Sequence, residues 1–258
     1  MKTKKHMKKR VRLTLTAVLL VIAGVSLYHF GSYYFKRNDE IKKKEAIKEV
    51  IQSNVLTEAG FSFSKDAWNS LYEANNDFVG YLAFPDEYVS EPILKAKDNS
   101  YYLYRSFDKT WSDFGSVYMD YECENSDTNI TIYGHHIIGP GFEELKFGPI
   151  SELAEQDLYD QHHEFSIWWE DHQSKYVITN IYYYNVDENR EFDYKQRSFA
   201  DEADFNKFKD FIDENNVISA VDELRYGDRF VTLQTCRDLW SSIKIIAVCK
   251  EVEINDSY

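Results

Sequence analysis

The feature that most constrains this chain is a run of 23 residues without Asp, Glu, Lys or Arg, LTLTAVLLVIAGVSLYHFGSYYF, from Leu13 to Phe35. At 1.5 Å rise per residue such a run crosses a hydrocarbon core of roughly 30 Å. Lys2, Lys4, Lys5, Lys8, Lys9, Arg10 and Arg12 precede it, and no acidic residue occurs before Asp39. Tyr28, Tyr33, Tyr34 and Phe35 crowd its far end, as an interfacial aromatic belt does. Seven flanking cations disfavour a buried core helix. No small-x-small cleavage site follows the run cleanly, so a retained signal anchor is favoured over a cleaved signal peptide. The basic flank predicts a cytoplasmic N-terminus, with the bulk of the chain extracellular on a single-pass protein of the cell membrane. The expected divisions are a basic tail over 1–12, a transmembrane anchor over 13–35, a helical extension over 36–76 and a β domain over 77–254.

Charge divides at the same place. The chain of 258 residues carries a net −14, made of +7 before the apolar run and −21 after it. An acidic body argues against nucleic acid as a partner. Twenty Tyr, seventeen Phe and five Trp supply a sizeable core. Three cysteines, Cys123, Cys236 and Cys249, are too few for a disulfide framework, and outside the cell at least one stays free or pairs between chains.

Beyond the span, residues 36–59 are charged and helix-favouring. Ile47, Val50, Ile51 and Val55 fall on one helical face, which favours packing on the domain over a plain stalk, and Gly60 is a stop signal. SKDAWNSLYEANN, 64–76, reads as a second short helix with Ser64 as N-cap. From Phe78 the pattern changes to short β-branched and aromatic runs: FVGYLAF, YYLYRSF, GSVYMDY, NITIYGHH, EFSIWWED, SKYVITNIYYYNV, DRFVTLQTC and SIKIIAVCKEV. About eight strands of this kind suggest a closed barrel or a sandwich. One helix interrupts them over 198–216, where Phe205, Phe208, Phe211 and Ile212 take helical spacing.

The sharpest chemical feature is TLQTC, 232–236, which puts a thiol at the end of an apolar strand with Arg237 and Asp238 after it. A strand end is a rigid mount for a nucleophile, and neighbouring cations lower a thiol's pKa. A buried small hydrophobe is the competing reading, and the stronger one for Cys249 inside its strand. Cys123 lies in the polar stretch YECENSD with no visible partner. A thiol nucleophile needs a proton carrier, commonly His. His135 ends a strand behind Gly134, whereas His162, His163 and His172 sit in polar surroundings, His29 lies in the apolar run and His6 in the basic tail. No HExxH occurs, and the cysteine spacing matches no zinc finger. QTCRD lacks the Ala and the final Gly of the caspase signature, and papain's CGSCW pattern is missing.

An anchored acidic β domain, with IYGHH followed about a hundred residues later by TLQTC, resembles the sortases, cell-surface transpeptidases of Gram-positive bacteria, and among them class B. The resembling segments are NDFVG (76–80), DNSYYL (98–103), GSVYMD (115–120), NITIYGH (129–135), FEEL (142–145) and TLQTC. The resemblance implies an eight-stranded sortase-type β-barrel. Two N-terminal helices would precede it, and a helix would be inserted between strands six and seven. It implies that Cys236 attacks the carbonyl before the scissile bond of a C-terminal sorting signal and that His135 protonates the leaving amine. An amine of a cell-wall precursor, or a pilin Lys, then resolves the acyl-enzyme. The implied partners are surface or pilin proteins bearing that signal, and no cofactor is required. The family's third residue is an Arg early in the last strand. Here Lys244 stands near that place, keeping the charge without the planar fork, with Arg237 as the alternative. His136 replaces the family's Asn, and Asp238 is a candidate to orient His135. Trp240 and Tyr182 to Tyr184 read as core or groove lining, and the loop between the strand near 176–186 and the inserted helix is the expected seat of substrate choice.

Overall fold

The computed structural model describes residues 9–53, 63–85, 87–137, 145–236 and 242–255, with the backbone alone at Ser53 and Cys236. The expected features at Val55, Gly60, 142–144, Arg237, Asp238 and Trp240 lie outside these residues. The chain divides into two compact units, Met1–Lys43 and Lys44–Tyr258. Helix α1, Lys9–Ser53, is continuous and is long and apolar enough to cross a membrane.

In the second unit, Ile51 is buried, with Ile47 and Val50 against the same cluster, so this stripe packs on the domain. Helix α2, Lys65–Ala74, starts where the Ser64 hydroxyl accepts the Ala67 amide at 3.1 Å. That bond satisfies one of the orphan donors of the first turn. Its buried face is Ala67, Trp68 and Leu71.

Eight strands follow: β1 (Phe78–Ala83), β2 (Ser90–Leu94), β3 (Val117–Met119), β4 (Asn129–Tyr133), β5 (Glu164–Trp168), β6 (Gln173–Asn185), β7 (Phe230–Cys236) and β8 (Ile243–Asn255). They close into a barrel in the order β1-β2-β3-β4-β7-β8-β6-β5, so the barrel reading holds and the sandwich does not. The β2–β3 and β4–β7 pairs are parallel and the others antiparallel. Short helix α3, Gln156–His162, lies between β4 and β5.

Alternation along the strands divides the side chains between the barrel interior and its outside. Ile130, Ile132, Val231, Leu233, Ala247 and Cys249 go into the interior cluster. The outside is also covered. Trp68, Leu71, Tyr102, Tyr118 and Tyr133 form a second cluster under α2. Helix α4, Glu202–Glu214, lays Phe205, Phe208 and Ile212 on Tyr182, Phe230, Ile246 and Val248. At 1.5–3 kcal/mol for each fully buried large apolar side chain, roughly, this outer packing holds α4 in place. Asp201 caps α4 by accepting the Asp204 amide at 2.9 Å, which fixes its start inside the expected 198–216.

Helix α3 was not expected from the sequence, and two strand assignments differ. YYLYRSF is not a strand: Tyr102–Tyr104 form a 3-10 turn. Tyr-rich composition mimics a strand, but the buried Tyr102 ring and its hydroxyl, bonded to Asp77 at 2.6 Å and Asn75 at 3.0 Å, set the backbone here. Conversely SEPIL, which carries a Pro and an acid, is strand β2 and buried throughout. Pro92 pairs with Tyr81 of β1, and the parallel pairing with β3 begins one residue later at Ile93. The missing amide therefore falls before the second ladder needs it.

Candidate active site

The site is built where four neighbouring strands end or begin. β4 and β7 run parallel in the register Asn129↔Phe230 through Tyr133↔Gln234. The ladder continues one step, with the Gly134 amide donating to the Gln234 carbonyl at 3.0 Å. Two residues beyond the last pair stand His135 on one strand and Cys236 on the other. Across the antiparallel β7–β8 ladder Cys236 is paired with Lys244, and across β6–β8 Lys244 is paired with Tyr184. Directly opposed residues have Cα atoms about 4.5–5.5 Å apart. The barrel thus sets the ends of β4 and β7 side by side, so that His135 follows one strand and Cys236, 101 positions later, ends the other, in a row completed by Lys244 opposite Cys236.

His135 is held on three sides. Its carbonyl accepts the Phe147 amide at 3.1 Å. Its Nε2 lies 2.8 Å from the Leu103 carbonyl oxygen. A carbonyl only accepts, so Nε2 carries the hydrogen and Nδ1 is the basic nitrogen of the neutral ring. The 3-10 turn that replaces the expected strand is what presents this carbonyl. Gly115, at φ +55°, closes the third side: a Cβ there would lie 2.6 Å from the Leu103 oxygen and 2.9 Å from His135 Cδ2.

Burial lowers the His135 pKa from the ordinary 6.5, the Leu103 bond opposes this, and the charges of Lys146 and Lys244 lower it further. The imidazole is therefore neutral at pH 7. In an NMR titration His135 is expected to titrate below 6.5, and Lys244→Met to move it upward. An unmoved midpoint would mean that Lys244 is too far to act.

Lys146 is a site neighbour that sequence reading missed. It is 8% exposed, sits at φ +57° and bridges backbone-to-backbone with His136. Its Nζ lies 3.5 Å from Glu91 Oε2, and its amide donates to Glu91 Oε1 at 3.2 Å. Burial would raise the Glu91 pKa, but the charges of Lys146 and Lys44 outweigh it and hold this buried carboxyl ionised. No motif announces this pair, because Glu91 lies in the unrecognised β2, 55 residues from Lys146.

The other candidates separate from the row. Cys249 is buried in the barrel interior, and burial pushes its thiol far up. Cys123 is not loop-exposed but buried in the same cluster. Burial pushes its thiol up to about 11, and its sulfur accepts the Thr131 amide at 3.4 Å. Burial and a raised pKa both work against a reactive thiolate at either position. His136 reaches Ser151 at 3.3 Å, His162 stacks on Tyr88 at 4.0 Å, His163 faces the Tyr159 carbonyl and His172 pairs with Asp171. Tyr182 is core and Tyr184 packs beneath the connection to α4, while Tyr183 is exposed.

No family model matches the chain. The chain is 24% identical over 254 residues to sortase B of Staphylococcus aureus, an alignment covering 96% of this chain and 100% of that protein. It is 27% identical over 230 residues to sortase B of Listeria monocytogenes, covering 85% and 88%. Among solved structures, the Staphylococcus aureus sortase B–substrate complex superposes with a TM-score of 0.69 at 24% identity, covering 84% of this chain and 96% of that one. The chain is thus similar nearly end to end to two sortase B proteins, and its closed eight-stranded barrel is the fold of the solved sortase B structures.

Proposed function

We propose that the chain is an anchored extracellular transpeptidase that cuts a C-terminal sorting signal and passes the acyl group to an amine of a cell-wall precursor. The single observation that carries the assignment of roles is the row His135–Cys236–Lys244 across β4, β7 and β8. The neutral imidazole takes the thiol proton as Cys236 sulfur attacks the scissile carbonyl, giving a tetrahedral oxyanion and an imidazolium. The C–N bond breaks, His135 returns the proton to the leaving amine, and a thioester remains on Cys236. The incoming amine attacks that thioester, loses its proton to His135 and releases the thiol. Lys244, opposite the nucleophile, supplies a positive charge for the oxyanion. The +7 tail before the apolar helix supports a cytoplasmic N-terminus. Transfer to a pilin Lys uses the same chemistry with a different amine.

The test incubates the full chain, in detergent, with LPxTG-like and NPxTN-like peptides, with and without triglycine or a Lys amine. Intact mass should show an acyl adduct on Cys236, and added amine should convert hydrolysis product to transfer product. Hydrolysis indifferent to amine would make it a cysteine protease. No cleavage across the panel, with Cys236 resistant to alkylation, would leave a binding protein on a sortase barrel.

Lys in place of Arg gives a further prediction. A planar fork makes two directed bonds where an ammonium makes a point contact. Lys244→Arg should therefore raise kcat about threefold to tenfold through one added charge-assisted bond. A dead Lys244→Arg enzyme would remove Lys244 from the oxyanion role.

A further inference from the structure

The connection between β6 and α4 is strapped to the strands that carry the row, and one side chain makes the strap. Asn129, the first residue of β4, is fully buried. Its Nδ2 donates to the carbonyls of Tyr194 and Gln196, both at 3.1 Å. Its Oδ1 accepts the Thr232 hydroxyl of β7 at 2.8 Å. Both of its amide hydrogens and an oxygen lone pair are thus used. Around it the Thr128 and Asn129 amides donate to the Arg197 carbonyl, Arg197 donates to the Glu122 carbonyl at 2.6 Å, and Lys195 reaches buried Asp120 at 3.8 Å. From the strapped segment the Tyr194 hydroxyl donates to the side-chain oxygen of Gln234, two residues before Cys236 on β7.

We propose that Asn129 is a positioning residue for the sorting peptide. By clamping 194–196 to β4 and β7 it fixes the Tyr194–Gln234 wall along the strand that leads to Cys236. This rests on the reading of the chain as a sorting-signal transpeptidase. Asn129 touches no reacting atom, so its loss acts on peptide binding and not on the thiol. Asn129→Asp discriminates, because it keeps an acceptor for Thr232 but removes both donors and sets a carboxylate oxygen against two carbonyls.

In the full chain, with the peptide panel above as probe, Asn129→Asp should raise KM about tenfold, as expected from two lost buried hydrogen bonds, with kcat changed less than about twofold. Amide exchange over 193–198 should accelerate by about tenfold, while iodoacetamide alkylates Cys236 at the wild-type rate. Thr232→Val, which removes only the third bond and keeps both bonds to 194–196, should raise KM less than Asn129→Asp does. An unchanged KM in Asn129→Asp, a fall in kcat at constant KM, or unaltered exchange over 193–198 would overturn the proposal. Should Asn129→Asp fail to fold, Tyr194→Phe keeps the ring and removes the bond to Gln234. A KM rise of about threefold then supports the proposal and an unchanged KM overturns it. Wild-type protein that cleaves no peptide would sink the transpeptidase reading instead, and the exchange of 193–198 in Asn129→Asp would decide the strap on its own.

Discussion

Exchanging Cys236 for Ala should abolish the acyl-enzyme, and exchanging His135 for Gln should slow peptide cleavage about 10²–10⁴-fold, the range for losing a positioned acid–base group. Without the sulfur there is no covalent path, and an Ala methyl cannot be rescued by added amine. Gln retains a hydrogen-bonding group of similar reach, so the Leu103 contact has a replacement partner and folding should survive. It cannot ionise near pH 7, so thiol deprotonation and leaving-group protonation both fall to solvent. Because burial and two Lys charges hold the wild-type imidazole below its ordinary pKa, kcat/KM in the wild type should fall on the acid side only below pH 6.5. His135→Gln should lose that limb. The double variant should be no worse than Cys236→Ala, since the two residues act as a unit. Thermal midpoints matched to wild type would show that the losses are chemical. A His135→Gln enzyme retaining more than about a tenth of wild-type rate would take His135 out of the mechanism.

How far the sequence foretold this site depends on where each part is encoded. The long strands β6 and β8 and the strand β7 were legible because β-branched and aromatic runs of that length have few alternatives. The helical spacing of Phe205, Phe208, Phe211 and Ile212 made α4 legible in the same way. His135 and Cys236 were legible through order and spacing of short motifs. Lys244 was legible as a charge near an expected position, and the register then set it opposite Cys236. The supports of the site were not. The group that fixes the His135 tautomer is the Leu103 carbonyl, and a backbone oxygen has no sequence signature. Its turn was read as a strand because Tyr101, Tyr102 and Tyr104 carry strand composition, while the geometry is decided by tertiary bonds of Tyr102 to Asp77 and Asn75. Lys146 was missed together with Glu91, because the pair exists only after β2 closes into the barrel.

Gly134→Ala tests the tightest of these supports, and should destabilise the barrel by about 3 kcal/mol. A Cβ at this position would lie 2.3 Å from Phe147 Cγ, 2.6 Å from Cδ2 and 2.8 Å from Cβ. These are not the far atoms of a flexible chain. Phe147 is fully buried in the interior cluster beside Ile132 and Ile150, so its ring has nowhere to swing. Nor is the backbone at Gly134 free to yield, since its amide is committed to the Gln234 carbonyl. The remaining way out moves Phe147, whose own amide holds the His135 carbonyl. The substitution should therefore lower the thermal midpoint by about 6–12 °C for a domain of this size and reduce activity beyond what unfolding explains. Pairing Gly134→Ala with Phe147→Ala removes the Cγ and Cδ2 atoms that the new methyl meets, so the double variant should be less destabilised than the sum of the two single ones, a non-additivity expected of residues that touch. Gly115→Ala adds strain of a second kind, because φ +55° itself costs an L-residue about 1–2 kcal/mol and the new methyl meets the His135 ring. An unchanged midpoint in Gly134→Ala, or simple additivity with Phe147→Ala, would show that the β4 end is looser than its packing, and His135 with it.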